Sequence, residues 1–276
     1  MAAGNADHPE YVLGHSTGEL DRLIEQAAFY GDLTEHTLRR AGVTAGMRIL
    51  DLGCGAGDVS FLAASLVGPS GSVVGVDLNA DAIALATSRA ASAGVTNVTF
   101  QQADITQLPY QAEFDAVIGR LVILYLGDPV AGVRQFARYV RRGGILHFQE
   151  FCPPGIGSEP SVPMYAECMR LINETFARAN INLYTGMQLP RIYREAGLSA
   201  PQMLGMARVE TGETSGAYVY LANTVRSLMP LIERMGVATA AQVGIDTMAE
   251  RLRAESLERH AVLHLPELIS AWVRVD

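Results

Sequence analysis

Two kinds of apolar pattern alternate through the middle of the chain. Short apolar runs at Arg48–Leu52, Ser72–Asp77, Val98–Asp104, Phe114–Gly119 and Ile145–Phe151 read as strands, the first two buried on both faces because nothing in them alternates. Helical stretches lie between them. One runs from the glycines after Leu52 to about Leu66, a second covers Asp81–Ala93 and is closed by Gly94, and a third covers Asp128–Arg141 with Val130, Val133, Phe136, Ala137 and Val140 on one side. Arg141 and Arg142 place positive charge at the end of that third helix, and Gly143 stops it. Strand and helix in alternation require a parallel sheet with helices on both faces, and ligands collect at the carboxyl ends of such strands.

Upstream, Thr17–Arg40 is helical, with Leu20, Leu23, Ile24, Ala27 and Ala28 on one face, and Gly31-Asp32 is a candidate break into two helices. Downstream the alternation stops. Ser161–Ala179, Leu189–Ala196, Ala217–Met235 and Ala241–Arg259 are predicted helices, and Pro230 is expected to kink or shorten the third of them. Gln202–Glu210 and Leu268–Val275 are predicted strands. The chain thus divides into an N-terminal helical segment (1–44), an alternating core (45–151) and a region of substrate-binding helices with the last two strands (152–276).

The core contains the chemistry. Gly53, Gly55 and Gly57 form a GxGxG turn between the first strand and its helix, where missing side chains admit a ligand and the helix N-terminus favours polar or anionic groups. Asp77 ends the second strand about 20 residues later, where a carboxylate can take both hydroxyls of a ribose. Asp104 ends the third strand.

Composition narrows the alternatives. A formal net charge of −8 argues against nucleic acid or an anionic membrane as partner. All 21 basic residues are arginine, which removes Schiff-base and lysine general-base chemistry. Cys54, Cys152 and Cys168 form no paired motif, and with neither a leader pattern nor a long apolar run the expectation is a cytoplasmic protein. His260 and His264 have a metal-compatible spacing but no third ligand nearby, so no metal is expected. Eight of the ten methionines follow residue 151, as pocket lining or as core filler.

The segments DLGCGAG (51–57), VVGVDLN (73–79), QADI (102–105), FDAVIGR (114–120) and RRGGILHFQE (141–150) resemble, in order and interval, the motifs of class I S-adenosylmethionine-dependent methyltransferases. The likeness is greatest to the small-molecule group that includes ubiquinone/menaquinone-type enzymes. The resemblance implies a Rossmann-like, seven-stranded, mostly parallel α/β sheet with helices on both faces and a helical substrate-binding cap. It also implies the cofactor S-adenosylmethionine and a set of contacts for it. Gly53, Gly55, Gly57 and Asp51 would serve the methionyl part, Asp77 the ribose, Leu78, Asp104 and Ile105 the adenine, and the segment at Arg120 the methionyl end. An N-terminal segment closing over the cofactor would make Tyr11 a contact, with His15 nearby. Arg120 is read in addition as an anchor for a carboxylate or the substrate.

Glu150 and His147, toward the end of the fifth strand, are the candidate acid–base residues, each set against a structural role. The expected activity is methyl transfer to O, N or C of a small apolar or aromatic molecule, natural-product or quinone-like. A scaffold that binds the cofactor or a ligand without transferring methyl, as a regulator or rearrangement catalyst, is the alternative. A nicotinamide oxidoreductase is disfavoured by GxGxG in place of GxGxxG and by the lack of lysine. The insertion at 211–265 is left open between a lid and an interface, and a homodimer is left open with it.

Overall fold

The computed structural model describes residues 17–153 and 155–276, with side chains from residue 29 onward. Tyr11 and His15 therefore lie outside the described residues. In chain order the elements are α1 (Thr17–Ala41), β1 (Arg48–Leu52), α2 (Asp58–Val67), β2 (Ser72–Asp77), α3 (Ala80–Ala93), β3 (Val98–Gln102), β4 (Phe114–Arg120), α4 (Pro129–Tyr139) and β5 (Val140–Cys152). Then come β6 (Ser158–Glu159), α5 (Pro163–Arg178), α6 (Thr185–Glu195), β7 (Gln202–Met206), β8 (Val209–Glu210), α7 (Ala217–Arg234), α8 (Ala240–Val243), α9 (Met248–Glu258), β9 (Val262–His264) and β10 (Glu267–Arg274).

One seven-stranded sheet has the order β3-β2-β1-β4-β5-β10-β7. Its first five strands are mutually parallel, and β10 runs antiparallel to both of its neighbours. The order reverses at β1, so the carboxyl ends of β1 and β4 flank the switch point where open α/β sheets bind ligands. The parallel part is what the alternating apolar runs predict, and the seven-stranded Rossmann-like whole is what the family resemblance implies. Alternate residues of each run go to opposite faces. Ile49, Ile118 and Ile145 join Leu38, Ala63 and Val67 on one side, while Leu50, Val117 and Leu146 join Phe136, Leu189 and Tyr193 on the other. Each such aliphatic side chain contributes about 1.5–3 kcal/mol on burial. A third cluster is built by α5, α7 and α9 with Tyr30 of α1, through Leu171, Leu221, Val225 and Leu252.

Several boundaries differ from the predicted ones. α1 runs unbroken through Gly31, because Tyr30, Thr34 and Leu38 seat that stretch on the sheet and outweigh the roughly 1 kcal/mol helix penalty of one glycine. α4 ends at Tyr139 and β5 begins at Val140, so Arg141 and Arg142 lie in extended chain; Arg141 pairs with Asp115 at 2.6 Å instead of facing a helix end. α6 starts at Thr185 and includes Pro190, and α7 continues through Pro230. The single strand expected at 202–210 is two strands in different sheets, since β8 pairs with β9 in a small β6-β9-β8 sheet. The helix expected at 241–259 is interrupted at Gly244, which takes φ +58° between α8 and α9. No helix among the described residues is long and apolar enough to cross a membrane.

Helix α1 is fastened to the sheet by a polar relay. Thr34 Oγ1 donates to Gln149 Oε1 at 2.8 Å, and Gln149 Nε2 donates to Ser270 Oγ at 2.9 Å across the β5–β10 pair. All three side chains are buried, and an unmade bond there would cost more than the made one contributes.

Candidate functional site

The glycine turn leaves β1 with Gly53, Gly55 and Gly57 at φ +64°, +52° and +90°. The first and third are required by packing as well as by φ. A Cβ on Gly53 would lie 2.8 Å from Val122 Cγ2, and one on Gly57 would lie 2.8 Å from the Phe100 ring. Asp77, at the end of β2, fastens the turn: Gly55 N donates to its Oδ2 and Asn79 N to its Oδ1, both at 2.9 Å. Each carboxylate oxygen keeps a lone pair for a further donor.

Leu78 follows, an apolar side chain left 63% exposed by the described residues. The end of β3 lies beside it, since Ala103 N donates to Asp77 O at 3.0 Å and Gln102 Nε2 to Leu78 O at 3.2 Å. Asp104 turns the chain there and accepts from Thr106 N and Oγ1 at 2.8 and 2.7 Å, with Ile105 half-buried next to it. Asp77, Leu78, Asp104 and Ile105 thus share one rim, an apolar surface between two carboxylates. Such a rim offers hydrogen-bond acceptors on either side of an apolar surface.

Asp51 lies beneath the glycine turn, buried, and accepts from Ser60 Oγ at 2.6 Å. Burial pushes its carboxyl up to about 7, opposed by the Ser60 hydrogen bond and by the nearby Arg120 guanidinium. Arg120, at the end of β4, donates from Nη1 to Thr34 Oγ1 at 3.2 Å and so ties this corner to α1. Cys54 is buried in the turn with its thiol pushed up by desolvation, as packing requires.

The chain after Arg120 makes a turn that belongs to two regions at once. Leu121 adopts φ +58°, a left-handed conformation costly for a leucine, and its N–H donates to Gln149 O at 2.8 Å. Glu150 completes the anchorage: its Oε1 accepts from Val122 N at 2.9 Å and Ile123 N at 2.7 Å. The Glu150 side chain is fully buried, its Oε2 has no partner among the described residues, and desolvation pushes its carboxyl up to about 8. It is therefore a neutral acid at pH 7 that holds a turn. His147 is equally enclosed, with its ring stacked on Trp272 at 6.1 Å, and burial pulls it down to about 4.

Beyond the turn opens a cavity that the sequence patterns do not reveal. Its empty space is about 710 Å³ counted with its mouth, and it lies between Leu121, Leu124 and Tyr125 of the turn, Phe151 near the end of β5, and the inner faces of α5 and α7. The lining residues are scattered over six segments, and the only available cue was the helical spacing of α5 and α7. Met169 is the one methionine among the described lining residues, so most methionines of the C-terminal region pack elsewhere. No group of three or more potential metal ligands occurs among the described residues.

A family model described as a methyltransferase domain matches residues 43–197. The ubiquinone/menaquinone biosynthesis C-methyltransferase UbiE of Pseudomonas paraeruginosa is 35% identical over 120 residues, which is 43% of this chain and 47% of that protein. The demethylmenaquinone methyltransferase of Lactococcus lactis is 29% identical over 174 residues, 62% of this chain and 67% of that protein. The chain thus spans about half the length of the first of these relatives and two thirds of the second. Among solved structures, the YcgJ protein of Bacillus subtilis superposes with a TM-score of 0.54 at 20% identity, covering 87% of this chain and 97% of that one, a likeness of fold.

Proposed function

The chain belongs to the methyltransferase-domain family, in its class I, S-adenosylmethionine-dependent form, and from that premise we propose that it methylates a small, apolar or aromatic molecule of quinone-like or natural-product type. The observation that supports this most directly is the turn after β4. Arg120 is close enough to Asp51, beneath the glycine turn, to lower its carboxyl, while Leu121, Leu124 and Tyr125, immediately following, wall the apolar cavity. A methyl donor on the rim and an apolar substrate in the cavity would meet there.

S-adenosylmethionine supplies an electrophilic methyl group on a sulfonium. What the protein adds is position and dryness, and alignment of two bound reactants is worth several kcal/mol of barrier. In this reading Asp77 takes the ribose hydroxyls and Leu78 and Ile105 flank the adenine, with Asp104 at its edge. Gly53, Gly55 and Gly57 let the backbone approach the methionyl chain, Asp51 meets its ammonium, and Arg120 meets its carboxylate. The cavity walls exclude water from the transfer. Glu150 and His147, enclosed and neutral, are positioning residues and not proton acceptors. The remaining proposals are a small-molecule substrate with no nucleic acid or membrane partner, and a cytoplasmic location in keeping with the free Cys54, Cys152 and Cys168.

Calorimetric titration with S-adenosylmethionine, S-adenosylhomocysteine and NADH tests the donor, and formation of S-adenosylhomocysteine with a methylated product tests the transfer. Binding of both sulfur nucleosides with product formation is expected. Binding without product across aromatic substrates would favour the non-transferring scaffold. The same titration reads Asp51. Burial pushes its carboxyl up to about 7, so an arriving ammonium should release part of a proton from it at about pH 6–7, a share that shrinks as pH rises. Repeating it in buffers of different ionisation enthalpy measures this, and an unchanged release in Asp51→Asn would refute the assignment.

A further inference from the structure

The cavity is uncharged, and one of its polar atoms is left without a partner. No acidic or basic side chain is among the described residues that line it. Thr224 and Ser227 of α7 reach it, but their hydroxyl protons are engaged within the helix: Thr224 Oγ1 donates to Tyr220 O at 2.8 Å and Ser227 Oγ to Thr224 O at 3.0 Å. What these hydroxyls still offer is lone pairs. Opposite them, on α5, Asn173 also lines the cavity, and its Oδ1 is buried with no partner among the described residues. A buried amide oxygen left without a donor is costly, and native folds tolerate few of them. Asn173 Oδ1 is thus the acceptor left over in a pocket whose other walls are Leu, Phe, Ile, Met and Pro with Tyr125 and Tyr220, both of which have partners within the fold.

We infer that the substrate carries a neutral hydrogen-bond donor, an O–H or N–H on an apolar body, and that Asn173 Oδ1 receives it. The inference rests on the proposed reading of the cavity as the substrate site. A carboxylate or phosphate would find no cation among the described lining residues to offset its desolvation, so anionic molecules are disfavoured. A body of the same shape without the donor would leave Asn173 unpaired and lose affinity for that reason. Asn173 is a specificity residue here, one that orients the substrate without taking part in the transfer.

The test uses three bicyclic probes of similar shape, 1-naphthol, 1-methoxynaphthalene and 1-naphthoate, titrated into protein saturated with S-adenosylhomocysteine. The wild-type protein should bind 1-naphthol about tenfold more tightly than the methyl ether, and naphthoate too weakly to measure. In Asn173→Leu the naphthol-to-ether ratio should fall to near unity while ether affinity is kept. Asn173→Asp, which retains an oxygen at that place, should keep a preference for naphthol. Asn173→Ser, whose shorter side chain cannot reach the same point, replaces the leucine variant if that one does not fold. An unchanged ratio in Asn173→Leu or its serine substitute overturns the inference. So does naphthoate binding as tightly as naphthol, or failure of all three probes to bind the loaded protein. S-adenosylhomocysteine is titrated first, and its failure to bind would overturn the functional reading together with this one, which separates the two cases.

Discussion

Replacing Glu150 by alanine is expected to lower stability by about 3–5 kcal/mol, since it leaves two buried backbone N–H groups unpaired and opens a cavity beneath the turn. Val122 N and Ile123 N lose their acceptor, and Leu121 loses the neighbouring anchorage that offsets its left-handed backbone. A thermal melt should show a fall of about 10 °C or more. Glu150→Gln keeps an acceptor at Oε1 and replaces a neutral acid by a neutral amide, so it should behave differently with pH. The Glu150 carboxyl titrates at about 8 in the folded chain against an ordinary 4.5, so the native state binds the extra proton in between, and its contribution to stability falls as pH rises from about 4.5 to 8. The glutamine variant is free of that loss. Relative to wild type it should be close at pH 5 and clearly more stable at pH 8.5. A glutamine variant as unstable as the alanine one would refute the hydrogen-bonding account. A difference that does not change with pH would refute the neutral acid.

Asp77→Ala should weaken binding of S-adenosylmethionine and S-adenosylhomocysteine by about 1–3 kcal/mol, roughly 5- to 150-fold. Two losses combine in it. The ribose hydroxyls lose their carboxylate, and the glycine turn loses the acceptor that holds Gly55 N, with Asn79 N released as well. Asp77→Asn separates them, because its one amide oxygen can hold either Gly55 N or a hydroxyl, and an intermediate affinity is expected. Calorimetry alongside a melt provides the measurement. Unchanged affinity in a folded Asp77→Ala protein would remove Asp77 from the cofactor rim.

The parts of this molecule that could be read from sequence are those whose cause is local. β1 and β2 are short and apolar on both faces, which only a covered parallel sheet accommodates, and the glycine turn, Asp77 and Asp104 sit at the ends of such runs. Glu150 was visible as an acid near a strand end, but its partners are backbone groups 27 and 28 residues earlier in the chain, and nothing local distinguishes a turn-holding acid from a catalytic one. Gly31 misled for the opposite reason. Its local cost is real, yet Tyr30 and Thr34 on either side are held by contacts with residues far along the chain, Pro266 and Gln149. The cavity could not be read because its walls come from separate segments, and Asn173 is set apart by the absence of a partner, a property that exists only in three dimensions.

The chain leaves the sheet at Met206 and re-enters it at Glu267, next to Leu268, which pairs with Met206 in the β7–β10 ladder. Everything between them, including the α7 wall of the cavity, is an excursion whose two stems already touch. Such a cassette can be lengthened, trimmed or grafted from a relative without altering strand register or the donor's half of the site. On the proposed reading, descent with modification can therefore rewrite what the cavity accepts while inheriting, unchanged, the rim proposed to hold the methyl source.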